Sequence, residues 1–455
     1  MIVAKFGGSS LASAAQVKKV CEIVLANPER KIVVVSAPGK WGKADTKVTD
    51  LLIAAARARL SGKSGEEEIA RVIARYASIA DELGMPADSV EPIARDLRER
   101  LEISTDDKGL FIDTLKAAGE DNCARLVARY LQSRGVEASY VCPREGGMVL
   151  SEEAGNARVL PESYVKLRAL RDRPGILIFP GFFGHSKSGK VVTFPRGGSD
   201  ITGSILAAAV GADLYENFTD VDSVFAANPS IVENPKPVAE ITYREMRELA
   251  YAGFSVFHDE ALEPVFHAHI PVAIKNTNNP AAPGTRLVPE RSVTDNPVVG
   301  IAATRGVCNV FVSKYMMNRE VGFGRRLLQI FEDEGIPFEH MPSGIDNLSV
   351  IVRDAVFPKD VEEHVLRHIR EDLRADDVDV MRNLALVMVV GEGMRHTLGL
   401  AARACAALAR ANVNIDMINQ GASEVSMMFG IEAADVKDAV RSLYEEFFVR
   451  EPVAI

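Results

Sequence analysis

Two glycine-rich segments, each directly after a short apolar run, constrain this chain more than any other feature. The first reads Lys-Phe-Gly-Gly-Ser-Ser at 5–10, and the second reads Arg-Gly-Gly-Ser-Asp at 196–200. Consecutive glycines let the backbone approach a ligand closely, and a following helix presents unpaired N–H groups and a positive dipole end. One such turn is equally typical of a tight loop without a ligand, but two of them predict a site for two anions.

Each segment also carries a cation suited to that role. Lys5 offers a mobile ammonium group, whereas Arg196 offers a planar guanidinium that can hold a carboxylate through two hydrogen bonds. Phosphate and carboxylate groups are therefore the expected ligands.

Length and composition indicate a large protein that acts on small molecules. The 455 residues, 47% hydrophobic and 25% charged, are typical of about two to four globular domains. The net charge of -10 argues against a nucleic-acid partner or an anionic membrane surface. No apolar run approaches the ~20 residues of a membrane span, and residues 1–5 resemble a strand rather than a secretion signal, so we expect a cytoplasmic location.

The cysteines indicate neither disulfides nor a zinc site. They are scattered, without a Cys-x-x-Cys pair or a suitable histidine spacing, and we interpret them as reduced and structural. The five are Cys21, Cys123, Cys142, Cys308 and Cys405.

The first part of the chain has the pattern of an α/β domain. Near-continuous apolar runs at 2–5 and 31–35 bracket an amphipathic stretch, as expected for parallel strands covered on both faces. Residues 47–134 are predicted to be mostly helical. Further strand signals extend the predicted sheet to about residue 280.

A segment rich in prolines, 276–297, is predicted to be a linker, and a duplicated unit follows it. The order strand, helix, strand occurs twice there, which favours an internal duplication. The two copies are 307–312, 320–334 and 348–352, and then 384–390, 397–411 and 425–429.

These motifs together resemble the aspartate kinases of the amino-acid kinase superfamily, over essentially the whole chain. The resemblance includes Phe-Thr-Asp-Val-Asp at 218–222 and the Gly-Glu pair at 119–120. It implies an α/β fold, an open αβα sandwich followed by two ferredoxin-like (βαββαβ) ACT modules. The implied domains are a catalytic domain at 1–285, a linker with a strand returning to the second module at 286–304, and ACT modules at 305–380 and 381–455.

The resemblance also implies a reaction and its partners. ATP would phosphorylate the β-carboxylate of L-aspartate to 4-phospho-L-aspartate, the first step towards lysine, threonine and methionine, with Mg²⁺ held mainly by the ATP phosphates. Lysine and/or threonine would regulate the enzyme at ACT modules, whose pairing implies a homodimer or a dimer of dimers. Two alternatives stay open: an amino-acid sensor whose kinase domain binds ligand without turnover, and a kinase of another amino acid such as glutamate.

Site residues follow from the resemblance, position by position. Lys5 and Asp200 are the catalytic candidates, although an Asp at the start of a helix is also typical of an N-cap. The substrate candidates are Ser36, Thr49, Glu120, Arg196, Gly197, Gly198 and Ser199. The ATP candidates are Lys5, Gly7, Gly8, Ser9, Thr219, Asp220, Phe225, Ser230 and Lys275. The effector candidates are Met317, Gly322, Glu339 and Asp346.

The sequence departs from the family pattern in two regions. Phe225 and Ser230 stand where relatives commonly carry Tyr and Arg, and the segment 252–259 lacks a lysine that contacts nucleotide in many members. Lys275 can substitute for a missing cation, or can be an exposed strand-end lysine. The segment 38–45 is several residues longer than the pattern and contains Trp41, the single tryptophan.

Overall fold

The chain divides into two compact units. The computed structural model describes all residues except 43, 255–256, 258, 294–296, 396, 422–424 and 451–455. The first unit comprises Met1–Val224, Pro237–Ala250 and Ser255–Arg291, and the second comprises Phe225–Lys236, Tyr251–Phe254 and Ser292–Ile455. Among the described residues, no helix has both the length and the apolar character required to cross a bilayer.

The first unit is built on an eight-stranded sheet. Its strands and those of a small accessory sheet are β1 (Ile2–Phe6), β2 (Arg30–Val35), β3 (Ala138–Tyr140), β4 (Val149–Leu150), β5 (Ile176–Pro180), β6 (Phe183–Ser186), β7 (Val191–Thr193), β8 (Leu214–Thr219), β9 (Glu240–Thr242), β10 (Val272–Asn276) and β11 (Thr285–Val288). The main sheet has the order β3-β5-β2-β1-β8-β10-β11-β9, and β4, β6 and β7 form the accessory sheet. The first six strands in this sheet order, β3-β5-β2-β1-β8-β10, are parallel to one another. All five residues of β1 are buried, as expected for a strand with both faces covered.

Helices surround this sheet. They are α1 (Ala14–Leu25), α2 (Val48–Leu60), α3 (Glu66–Glu82), α4 (Glu91–Leu101), α5 (Lys108–Ser133), α6 (Pro143–Gly146), α7 (Pro161–Leu167), α8 (Gly198–Val210), α9 (Tyr243–Tyr251) and α10 (Leu262–His267). The 26-residue α5 contributes Phe111, Leu115 and Leu131 to a core cluster of the first unit. The loops that carry the site follow the carboxyl ends of the parallel strands, where open α/β sheets bind their ligands.

In its described residues, the second unit contains one antiparallel sheet with four α-helices. Its elements are β12 (Gly300–Ser313), α11 (Phe323–Asp333), β13 (Asn347–Arg353), α12 (Lys359–Asp372), β14 (Asp377–Val390), α13 (Leu400–Arg410), β15 (Met417–Asn419), β16 (Ser426–Glu432) and α14 (Val436–Tyr444). The strand order is β13-β12-β14-β16-β15.

Two long strands serve both halves of this sheet. Residues 300–305 of β12 pair with 385–390 of β14, and residues 307–313 of β12 pair with 377–384 of β14 on one side and with β13 on the other. Gly306, with φ +79°, marks the change between the two stretches. One core gathers around Leu327 and Val365, and a second gathers around Leu408 and Val440. The domain limits proposed at 285, 304 and 380 stay predictions.

The structure corrects the sequence analysis in two places. The predicted linker contains β11, which pairs antiparallel with β10 because Gly284 (φ +75°) turns the chain back. Leu287 in this strand is fully buried. The second half of the first glycine segment forms a short 3-10 turn, Gly8–Leu11, instead of a helix start. Helix α1 begins only at Ala14, where the Ser13 hydroxyl accepts a hydrogen bond from the Gln16 amide.

A tight helix–sheet contact predicts the effect of one substitution. A Cβ added at Gly203 of α8 would lie 2.5 Å from the Tyr215 hydroxyl and 2.7 Å from its ring. We expect Gly203→Ala to lower the free energy of unfolding by about 1–3 kcal/mol, because α8 must move off the sheet. Urea denaturation measures this change.

Ser204→Ala is the matched control on the same helix. The Ser204 hydroxyl is buried without a hydrogen-bond partner, so its removal should cost almost nothing. Equal stability of the Gly203→Ala variant and the wild type would contradict the packing described here.

Candidate active site

A cleft of about 450 Å³ in the first unit brings both glycine segments together. It lies at the carboxyl ends of β1 and β2 and at the start of α8. The predicted residues that line it are Lys5, Gly7, Gly8, Ser36, Thr49, Glu120, Arg196, Gly197, Gly198, Ser199 and Asp200. Its lining also includes residues that sequence reasoning missed, among them Lys47, Asp50, Lys116 and Phe182.

Lys5 and Asp200 form a buried ion pair that joins the two segments. The Lys5 ammonium lies 2.5 Å from Asp200 Oδ1, and both side chains are largely buried. The Asn217 amide donates to the same oxygen at 2.7 Å. Asp200 thus holds the ammonium group in place, and it lies in the first turn of α8 rather than at the N-cap, which is Gly197. Asn217 was missed, although an Asn within the apolar run of β8 was the available signal.

The second glycine segment forms the start of α8 as predicted. Gly197 has φ +83°, a left-handed conformation that favours glycine, and it is the N-cap residue of the helix. A Cβ on Gly198 would lie 2.6 Å from the Phe182 ring, so only glycine permits this approach. The first turn of α8 therefore presents backbone N–H groups and the positive dipole end to the cleft.

Arg196 is an exposed cation at the rim of the cleft. No carboxylate in the described part of the chain pairs with its guanidinium, which is consequently available to an anionic ligand. The first glycine segment offers a ligand fewer free N–H groups than predicted, because the Gly7 amide already donates to the Phe218 carbonyl at 3.2 Å.

Glu120 is a buried carboxylate, and one of its two oxygens lacks a hydrogen-bond partner. It lies on α5, is 5% exposed, and its Oε2 atom has no hydrogen-bond partner. Burial raises its pKa from 4.5 to about 8, opposed by the Ala37 amide and by the charge of Lys116. A cationic group bound in the cleft would stabilise the ionised carboxylate.

Glu120 reaches the cleft because of its glycine neighbour. A Cβ on Gly119 would lie 2.8 Å from the Ala37 Cβ, so the glycine lets α5 pack closely against the segment after β2. Ser36 lies in that segment, and its amide donates to the Phe6 carbonyl at 3.2 Å. Ser36 is thereby fixed beside the end of β1.

Lys116 is a further cation that the sequence analysis missed. Its ammonium donates to Asp113 Oδ1 and to the Thr193 hydroxyl, both at 3.0 Å. Asp113 is itself fixed by the amides of Gly155 and Thr193. The pairing of Lys116 with a buried carboxylate gives it a defined position at the cleft wall.

The remaining nucleotide candidates lie outside the lining of this cleft. Thr219 ends β8 and lies opposite Asn276 of β10, so Lys275 is next to it at the same sheet edge. Ser9 and Asp220 are exposed in the turns nearby. Phe225 and Ser230 belong to the second unit, and their nucleotide contacts stay a prediction. In the divergent segment 252–259, Ser255, Val256 and His258 lie outside the described residues.

A clamp around Arg75 holds the long segment after β2. The guanidinium of Arg75, on α3, donates to the Gly39 carbonyl at 2.9 Å and to both oxygens of Asp45 at 2.5 and 2.6 Å. The Trp41 ring stacks on it, with the guanidinium carbon 4.1 Å from the ring centroid. Gly39 in turn donates to the Gly8 carbonyl at 2.8 Å. The clamp therefore positions the first glycine segment from outside the cleft.

The effector candidates of the second unit do not form one cluster within the chain. Met317 is buried in the core of the first half, and Gly322 is the N-cap of α11. Asp346 precedes β13, whereas the Glu339 amide bonds to Ile351 near the other end of that strand. The Glu339 carboxylate is already paired with Arg353 at 2.8 Å and hydrogen-bonded to Tyr251.

Comparison with known proteins identifies the family of the chain. Residues 1–276 match the amino acid kinase family, and residues 387–447 match an ACT domain. Aspartokinase 3 of Bacillus subtilis is 58% identical, over 98% of this chain and 99% of that protein. The chain belongs to the aspartokinases. The family resemblance, the fold class and the expectation of an aspartate kinase are confirmed.

Solved aspartokinases share the fold. The aspartate kinase of Clostridium acetobutylicum is 36% identical, with a TM-score of 0.84 over 98% of this chain and all of that one. E. coli aspartokinase III, solved in complex with aspartate and ADP, is 24% identical, with a TM-score of 0.81 over 98% of this chain and all of that one. The latter likeness concerns the fold alone.

The Arg75 clamp predicts a spectroscopic change, because Trp41 is the single tryptophan. In the Arg75→Gln variant we expect Trp41 emission to shift to longer wavelength, since the ring loses its partner and contacts more water. We also expect kcat/KM of this aspartokinase to fall ~10-fold, because the first glycine segment loses its support.

Arg71→Gln, an exposed position on the same helix, is the control and should change neither quantity. Fluorescence and steady-state kinetics on the same samples measure both. An unchanged kcat/KM with a shifted emission spectrum would show that the clamp does not act on the site.

Proposed function

We propose that this aspartokinase transfers the γ-phosphoryl group of ATP to the β-carboxylate of L-aspartate and forms 4-phospho-L-aspartate. The observation that carries the proposal is the presence, in one cleft, of a buried carboxylate with an unpartnered oxygen and of several cations. L-Aspartate presents one ammonium and two carboxylates. Glu120 would bind the ammonium, and Arg196 would bind the α-carboxylate through two hydrogen bonds.

The chemistry requires positioning rather than a general base. A carboxylate nucleophile is already ionised near pH 7, so catalysis depends on alignment and on neutralising the phosphoryl charge. Lys5, held by Asp200, would provide a fixed ammonium group beside the transferring phosphoryl. The amides of Gly198 and Ser199 at the start of α8 would add hydrogen bonds to oxygens that gain charge.

ATP would enter from the edge formed by β8 and β10, with Thr219, Asp220 and Lys275 as its contacts. Mg²⁺ would be carried mainly by the ATP phosphates, since this ion prefers phosphate and water oxygens. Two cations of the family pattern are absent at the phosphates, and Lys47 and Lys116 in the cleft lining offer replacements. Gly7, Gly8 and Ser9 would line the phosphate side.

We infer that amino acids regulate this activity through the second unit. The ACT match supports an effector site, and E. coli aspartokinase III has also been solved with lysine and aspartate in a T-state. Lysine and/or threonine are the proposed effectors, and paired ACT modules in a homodimer or a dimer of dimers would form their site. We propose that the reaction is the first step towards lysine, threonine and methionine and that it takes place in the cytoplasm.

The alternatives differ in a measurable way. A sensor that binds ligand without turnover would produce no acyl phosphate, and a glutamate kinase would prefer the longer substrate. The intact Lys5–Asp200 pair favours catalysis over sensing.

Hydroxamate trapping tests the proposal directly. With Mg-ATP and L-aspartate we expect hydroxamate formation that exceeds the rate with L-glutamate, and suppression by lysine or threonine. Lys5→Met should reduce kcat by ~100–1,000-fold, because a preorganised charge at the phosphoryl group is lost. Lys31→Met, an exposed lysine of β2, is the control. No hydroxamate from folded wild-type protein under any condition would refute the kinase assignment.

The raised pKa of Glu120 predicts that aspartate binding releases a proton. Below pH 8 the empty site holds a proton on Glu120, and the substrate ammonium expels it, so aspartate affinity should increase from pH 6 to pH 8. Calorimetry at pH 7 in two buffers of different ionisation enthalpy measures the released proton. Glu120→Gln should abolish both the release and the pH dependence, whereas the exposed Glu99→Gln should preserve them.

The same group also affects stability without substrate. Because its pKa is raised on folding, the folded state keeps a proton that the unfolded chain loses above pH ~4.5. The free energy of unfolding should therefore decrease from about pH 4.5 to pH 8 in the wild type, and this component should be absent in Glu120→Gln.

A pH-independent aspartate affinity in the wild type would contradict the assignment of Glu120 to the ammonium.

A further inference from the structure

Two histidines of the second unit lie one turn apart on α12 and direct ring nitrogens at each other. His364 Nε2 and His368 Nε2 are 3.2 Å apart. The rings meet nearly edge to face, at an interplanar angle of 84°. Both side chains are about two-fifths exposed, at 41% and 39%, so solvent reaches the two rings.

Each ring is oriented by a carboxylate at its other nitrogen. His364 Nδ1 lies 2.5 Å from Glu334 Oε1, just after α11, and His368 Nδ1 lies 2.7 Å from Asp372 Oδ2, one turn further along α12. A carboxylate accepts a hydrogen bond, so it favours the tautomer with the proton on Nδ1. In that tautomer both Nε2 atoms carry lone pairs that face one another.

Two lone pairs at this distance repel each other unless a cation lies between them. Either a proton shared between the two nitrogens or a metal ion bound to both would remove this repulsion. Zinc–nitrogen bonds of about 2.0–2.1 Å at a tetrahedral angle place two ligand nitrogens ~3.3 Å apart. The observed separation therefore already matches the spacing of two zinc ligands.

We propose that His364 and His368 bind a divalent transition-metal ion, Zn²⁺, through their Nε2 atoms. Two histidines at i and i+4 on one helix face are a known zinc-binding arrangement. Glu334 and Asp372 are the positioning residues, since a carboxylate on the far nitrogen orients a ligating imidazole and increases its basicity. Among the described residues no group of three potential ligands is present, so water completes the coordination.

The consequence is a link between two helices of the regulatory unit. Glu334 follows the last turn of α11, whereas both ligands lie on α12. These helices pack on one core through Leu327 and Val365. A bound ion would fix the His364 ring, and with it the hydrogen bond that joins α12 to the end of α11.

Zinc titration of the full chain tests the proposal. After removal of metals with a chelator, calorimetry with ZnCl₂ should show one Zn²⁺ per chain with micromolar affinity at pH 7.5. His364→Gln and His368→Gln should each abolish this binding, because one imidazole alone holds zinc weakly. Glu334→Gln should weaken it by ~10–100-fold while the ligands stay in place.

His267→Gln, an exposed histidine of the first unit, is the matched control and should bind zinc as the wild type does. Thermal unfolding of each metal-free variant at the wild-type temperature shows that the fold is intact. Co²⁺ in place of Zn²⁺ should give a visible absorption band that disappears in the His364→Gln variant. Zinc binding that survives in both histidine variants, or no saturable binding by the wild type, would overturn the proposal and assign the close contact to a shared proton.

Discussion

The buried ion pair between Lys5 and Asp200 is the contact on which the arrangement of the site depends. Each residue belongs to one of the two glycine segments, and the pair joins the end of β1 to the start of α8 across 195 positions of sequence. Moving two charges out of water costs several kcal/mol per ion, so such a pair adds little to stability. Its value lies in a fixed ammonium group at the phosphoryl position, supported by the Asn217 amide at Asp200.

Glu120 differs electrostatically from the ion pair of Lys5 and Asp200. It is buried without a hydrogen bond at Oε2, and its raised pKa records the free-energy cost of ionisation there. A substrate ammonium recovers part of that cost. A neutral or purely anionic ligand does not, and this difference would give the cleft its selectivity for an amino acid.

Much of the fold and site could be predicted from the sequence because local chemistry determines it. The glycine segments and the apolar strands are each readable within a few residues, whereas the Gly-Glu pair on α5 was singled out only by the family resemblance. The contacts of Arg75 with Asp45 and of Lys116 with Thr193 were not predictable, since they join positions 30 and 77 residues apart by tertiary packing alone. The strand β11 was missed because only four residues pair, between segments rich in turn-forming residues.

The most direct test of this account is a crystal structure with L-aspartate and a non-hydrolysable ATP analogue bound. The account predicts the substrate ammonium within ~3.2 Å of the Glu120 carboxylate, the α-carboxylate against Arg196, and the β-carboxylate facing Lys5. Aspartate bound with its ammonium away from Glu120, or with Arg196 turned to solvent, would contradict it.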